Sequence, residues 1–194
     1  MEIAPVTPER WPDLVDLFER RGPRGGSGLA GSGCWCMWWR QRTGNATRNK
    51  EALHTIVEEG REPGVLAYED GVAVGWISVE PRERLGQLMR SKQYGPTEDE
   101  EGVWSIVCFY VHAAARHQGV AEALLEAAVE HAAAHGASSV EAYPHNRRPD
   151  YMGAFELFER RGFERIRTMT TRTIVRLSAT RPRARGRGRA ARSR

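Results

Sequence analysis

Nine residues from Val103 to Val111, nearly all apolar, lead through Arg116-His117-Gln118-Gly119-Val120-Ala121 into a helical repeat. This unit constrains the fold more than any other part of the chain. A run with both faces apolar reads as a strand covered on both sides. From Val120, the residues Leu124, Leu125, Ala128, Val129 and Ala132 recur at helical spacing, and the pattern stops at Gly136, a C-terminal cap signal. Residues 116–121 are therefore the turn that carries a strand into a helix. The first amides of a helix have no partner within it and sit at the positive end of its dipole, so the turn offers donors to an anion. Gly119 would let a phosphate come close to the backbone.

The rest of the chain supplies a sheet around this unit. Ile3 to Val6 reads as a short strand, and Thr7-Pro8-Glu9 opens a helix whose apolar face is Trp11, Leu14, Val15, Leu17 and Phe18. Six glycines between residues 22 and 33 make a loop. Within it, Gly26-Ser27-Gly28-Leu29-Ala30-Gly31 matches a dinucleotide fingerprint, but it follows a helix rather than a strand and is rejected as such a site. Residues 47–59 form a second helix, and 64–69 with 72–79 form a hairpin around Asp70-Gly71. Residues 81–102 are a polar insertion with a short helix at Leu85, Leu88 and Met89. Val140 to Tyr143 is a strand parallel to 103–111, because a helix crosses between them. A last helix through Ala154, Leu157 and Phe158 ends at Gly162, and one closing strand runs from Met169 to Leu177.

Arg116-x-x-Gly119-x-Ala121, with the apolar strand before it and Leu124-Leu125 after it, resembles the cofactor motif of the GNAT superfamily of acyl-CoA-dependent N-acyltransferases. Gly75-Trp76-Ile77-Ser78-Val79 looks like the family's third strand, and Ala154 to Phe163 like its final helix. The resemblance spans roughly residues 62–177. It implies an α/β fold with a single mixed, largely antiparallel sheet, helices on both faces, and fourth and fifth strands splayed to admit the pantetheine arm. The expected domain is 1–180 with its motif core at 103–163, followed by a tail at 181–194. Acetyl-CoA is the implied co-substrate, held by Tyr110, Val111, Arg116, His117, Gln118, Gly119, Val120, Ala121 and Asn146. Tyr110 and Val111 supply the oxyanion donors.

An amine must be neutral to attack a thioester, the oxyanion needs donors, and the thiol must leave. Many relatives carry a tyrosine as proton donor where this sequence has Phe158, which cannot donate. Tyr151 is the chosen substitute, with Tyr143 or a water as alternatives. For the base, Ser105 occupies the place of the glutamate found in histone-type relatives, leaving Glu80 or His112. Cys34-Trp35-Cys36-Met37-Trp38-Trp39-Arg40 holds three of the six tryptophans. Trp35, Trp38 and Trp39 either line the acceptor pocket or pack a core or dimer contact. Cys34-x-Cys36 gives two metal ligands with no second pair at the usual spacing, so no metal is expected.

The length fits one domain. No apolar run approaches a membrane span, the start lacks a signal-peptide layout, and three cysteines suit reduced thiols, so a cytoplasmic protein is expected. Its Ala, Gly and Arg content suggests a GC-rich, bacterial source. The net charge of +4 is misleading: seven of the 29 basic residues lie in 181–194, leaving 22 against 25 acidic residues in the body. That tail is either a phosphate anchor or a solvated extension. The absence of aromatics to stack on bases favours the latter. The expected reaction is acetyl transfer to the primary amine of a small molecule, with protein lysine or N-terminal acetylation, or a catalytically weak acyl-CoA sensor, as alternatives. A homodimer is suggested by the resemblance alone.

Overall fold

A computed structural model describes residues 1–21, 34–41, 44–96 and 100–179. The glycine-rich segment with its 26–31 fingerprint and the arginine tail lie outside the described residues.

The chain opens with strand β1 (Glu2–Pro5), a 3-10 turn at Pro8–Arg10 and helix α1 (Trp11–Glu19). Helix α2 (Ala46–Glu58) is capped by Asn45, whose side chain accepts from the Arg48 amide at 3.1 Å. β2 (Gly64–Glu69) and β3 (Val72–Pro81) form the hairpin. Asp70 and Gly71 both have positive φ, 50° and 76°, as a tight hairpin turn requires. The insertion contributes a 3-10 turn at Arg82–Arg84 and α3 (Gly86–Met89). β4 (Val103–Val111), α4 (Val120–Ala134) and β5 (Ser139–Ala142) make the parallel crossover, and α5 (Phe155–Arg160) follows.

The end of the chain differs from the sequence expectation. Instead of one closing strand there are two, β6 (Glu164–Thr168) and β7 (Thr173–Ser178), joined by a turn in which the Met169 amide donates to the Arg172 carbonyl at 2.8 Å. β6 is an edge strand, largely exposed and charged, so it carries no apolar alternation to read. The seven strands lie in the order β1-β2-β3-β4-β5-β7-β6, and β4–β5 is the parallel pair among antiparallel neighbours.

Alternate side chains feed the two faces. Val65, Ala67, Ile77, Val79 and Ile106 pack on Leu124, Leu125 and Ala128 of α4 and on Leu157 and Phe158 of α5. Leu66, Tyr68 and Trp76 pack on Leu14, Leu17 and Phe18 of α1 and on Leu53 and Val57 of α2. A third cluster, under the insertion, gathers Trp39, Leu85, Leu88, Val107, Tyr143 and Met152. Gly75 fixes the seat of α4: a Cβ there would come within 2.8 Å of Val120 Cγ1 and 3.0 Å of Leu124 Cδ1. No described helix is long and apolar enough to cross a membrane.

Candidate active site

The site begins where the sheet opens. β4 and β5 pair from Val103↔Ser139 to Ile106↔Ala142, and beyond that register they part. On its other edge β4 pairs with β3 through Val79↔Ile106 and then Ser78↔Cys108, so Val107 is an extra residue, a β-bulge. One inserted residue reverses the alternation of everything that follows. The His112 amide donates to the Val74 carbonyl of β3 at 2.8 Å, so the Tyr110 amide also faces β3, while those of Phe109 and Val111 face the gap. The amides that face the gap are thus those of Phe109 and Val111, not the Tyr110 and Val111 pair expected from the sequence. The Tyr110 ring instead packs edge-on to Phe18 on the α1 face, centroids 5.7 Å apart.

The Phe109 amide already holds a carbonyl oxygen, donating to Tyr151 O at 2.5 Å. The segment bearing that carbonyl is pinned from two sides. Arg172 donates to the Tyr143 carbonyl at 2.9 Å and forms an ion pair with Asp150 at 2.5 Å. Gly153, at φ 90°, lies against Phe158 and Phe109 so closely that a Cβ would sit 2.8 Å from the Phe158 ring. This places Tyr151 at the mouth of the gap, 39% exposed, with the Arg172 guanidinium 5.7 Å from its ring centre. Burial pushes its hydroxyl up to about 12 against the opposing pull of Arg172, so the group keeps its proton at neutral pH.

The turn into α4 is shaped for an approaching anion. His117 (φ 63°) and Gly119 (φ 82°) are left-handed, and a Cβ on Gly119 would meet nothing within 4 Å. Gly119 is the N-cap and supplies no side-chain acceptor; the Ala123 amide donates back to the Gly119 carbonyl at 3.0 Å, and the amides before it precede the helical ladder. Side chains brace the turn: Arg116 Nε donates to the Val111 carbonyl at 3.1 Å and Gln118 Nε2 to the Ala114 carbonyl at 3.0 Å. Val120 is buried against Gly75 and Ala121 packs on the same core, so both offer backbone only.

Other expected residues have different work. Glu80 is buried, bound by Arg40 Nε and Nη2 at 3.2 and 2.9 Å and by Arg61 Nη2 at 3.2 Å. A carboxylate clamped by two guanidiniums is an ion-pair anchor rather than a base, which corrects that assignment. His112 is buried, its Nδ1 accepting from the Ala114 amide and its Nε2 3.3 Å from the Arg21 carbonyl. Tyr143 is fully buried, 2.9 Å from Ser105 Oγ and donating to Glu141 at 2.9 Å, which burial and Glu141 enforce by raising its pKa. Asn146 is also redirected: Nδ2 donates to the Met169 carbonyl at 2.6 Å and Oδ1 accepts from Thr173 at 2.8 Å, bracing the β6–β7 turn. Of the tryptophans, Trp35 is core, packed on Phe18 at 5.1 Å, and Trp39 is buried beside Tyr94. Trp38 alone of the three is substantially exposed, at 51%.

Among the described residues, two trios bring possible metal-ligand atoms within 4.8 Å of one another: Cys34, Cys36 and Cys108, and Glu62, His131 and His135.

The model of the acetyltransferase (GNAT) family matches residues 33–163. No curated protein sequence matches the chain. Solved structures agree in fold. An N-acetyltransferase from Staphylococcus aureus Mu50 is 14% identical, with 92% of this chain and 98% of that one covered at a TM-score of 0.59. The ribosomal-protein-alanine N-acetyltransferase of Brucella melitensis is 15% identical, with 92% and 99% covered at 0.57. YncA of Salmonella typhimurium, solved with its cofactor acetyl-CoA, is 15% identical, with 94% and 96% covered at 0.57. With the family model spanning 33–163 and the splayed strands and open turn in place, the chain belongs to the GNAT acetyltransferase family and is an acyltransferase.

Proposed function

We propose that the enzyme transfers an acetyl group from acetyl-CoA to a primary amine of a small molecule by direct attack in a ternary complex. The observation that carries this reading is the Phe109 amide, turned into the β4–β5 gap and already binding a carbonyl oxygen at 2.5 Å. The Tyr151 carbonyl stands there in the place of a thioester oxygen. The open backbone around Gly119 fits a pyrophosphate at the other end of the same cleft.

In the reaction the amine nitrogen forms the C–N bond at the thioester carbon, the oxygen takes up negative charge, and the C–S bond then breaks. Phe109 N–H meets that charge as an oxyanion donor, a contribution of about 2.7–4 kcal/mol. The departing sulfur takes the electron pair, and Tyr151, protonated at neutral pH, donates a hydrogen bond to it. With Glu80 and His112 both engaged, the amine loses its proton to water. Trp38 is the aromatic surface offered to the acceptor. A small acceptor is favoured by the insertion, which reaches β6 through Arg167 Nη2 donating to the carbonyls of Gln93 and Gly95 at 2.9 and 3.0 Å and so narrows this side.

The engagement of both candidate bases also favours a second reading, acyl-CoA binding without turnover. Thiol release from acetyl-CoA over a panel of small amines and lysine peptides, with mass spectrometry of the products, separates the readings. Acetylated small amines support the first, acetylated peptides alone overturn the small-molecule assignment, and tight binding without release from any amine favours the second.

A further inference from the structure

All three cysteines of the chain meet at one place although 72 residues separate Cys36 from Cys108. We propose that Cys34, Cys36 and Cys108 form a three-thiolate site for a thiophilic cation, zinc, with a fourth position open to water.

Three observations build the site. The sulfurs lie within 4.8 Å of one another, with Cys36 and Cys108 buried and Cys34 partly open as the entry side. The turn that gathers them is forced: Trp35 and Cys36 are consecutive left-handed residues, φ 39° and 45°, a conformation that costs energy for any residue with a Cβ and persists where the surroundings demand it. The bulge at Val107 then rotates Cys108 onto the same face as Trp35, Cys36 and Trp76. Neither the C-x-C turn nor the strand alone could supply the set.

The charge around the trio agrees. Arg40 Nη1 donates to the Cys36 carbonyl at 2.5 Å, which sets a guanidinium beside the trio. Arg40 and Arg61 share the single carboxylate of Glu80, which leaves one positive charge in excess beside the thiols. Three thiolates around a divalent cation carry one negative charge, so the two sets neutralise each other. Thiolate donors select zinc or copper(I) over calcium or magnesium, and three protein ligands with a fourth open position is a zinc geometry. Seated there, the ion ties the Cys34–Arg40 segment to β4 one residue from Phe109.

The full-length protein, reduced and stripped with a chelator, is titrated with zinc against a chromophoric chelator and, separately, with cobalt(II) while the thiolate-to-cobalt charge-transfer absorption is followed. The site predicts that absorption, together with zinc protection of all three thiols from a thiol reagent. Cys34→Ser, the least buried of the three, should weaken this binding at least tenfold to a hundredfold, roughly the loss seen even for outer-shell partners of metal ligands. His135→Ala should leave it unchanged, because that residue belongs to the separate trio with Glu62 and His131. Thiols that react as fast with zinc as without it, or zinc binding lost in His135→Ala and kept in Cys34→Ser, would overturn the proposal. The thiol and cobalt measurements on the wild type need no variant, so a misfolded mutant cannot rescue it.

Discussion

Gly119 does two things at once, and they can be pulled apart. Its positive φ disfavours any Cβ, yet the space beside it is open, so a substitution there is strained but not clashing. Asp and Asn tolerate this backbone about equally. Gly119→Asp should therefore weaken acetyl-CoA binding at least about tenfold more than Gly119→Asn, since the carboxylate alone repels phosphate, an extra cost of roughly 1.4 kcal/mol by calorimetry. Equal losses in the two variants would show that the anion does not sit there. Tyr151 is tested through pH. Its pKa is raised, to about 12, so the donating form is fully present below that value and is lost only as pH rises through it. Tyr151→Phe should lower kcat about a hundredfold with no change in the shape of the pH profile up to pH 10. A variant that abolishes an alkaline limb below pH 10 would contradict the assignment. The strand-to-helix turn was legible at this scale because its spacing is local in sequence. Which amides face the gap was not, because the bulge at Val107 decides it.

Two element-level attachments hold the site. The first is the ion pair that joins the Cys34–Arg40 segment to β3: Arg40 and Glu80 are almost wholly buried, so removing one partner strands the other charge. Glu80→Ala should cost about 3–5 kcal/mol in urea unfolding, and Arg40→Met with Glu80→Leu should recover much of it. A loss below about 1 kcal/mol in the single variant would mean that the pair is solvated. The second is the 150–153 segment, held by Arg172 over the Phe109 amide. A thioester oxygen must displace the Tyr151 carbonyl from that amide, so acetyl-CoA should change hydrogen exchange across 147–154 while the β2–β3 hairpin stays as it was. Unchanged exchange at 147–154 in the saturated protein would place the acyl group elsewhere. The sequence showed the insertion and its short helix through Leu85 and Leu88, both fully buried, but an exposed edge strand such as β6 has no apolar rhythm to betray it.

For the whole molecule, one sheet shared by two helical layers predicts a single cooperative unfolding transition. Ligand bound only by the folded state adds stability by mass action, about 2.7 kcal/mol at a hundred times Kd, so acetyl-CoA should raise Tm less in Gly119→Asp than in wild type. Two separate transitions, with only one of them shifted, would show that the α1–α2 layer folds apart from the nucleotide side. By itself the sequence determined the strand-turn-helix motif, the hairpin at Asp70-Gly71, the parallel crossover and the α/β class, since each rests on spacing between near neighbours. Only the tertiary structure decided that Glu80 is an anchor, that Asn146 braces a turn, that Trp35 and Trp39 are core, and that Cys108 joins Cys34 and Cys36. Those outcomes depend on which side chains distant in sequence the sheet register brings into contact, and that register is set by packing both faces at once.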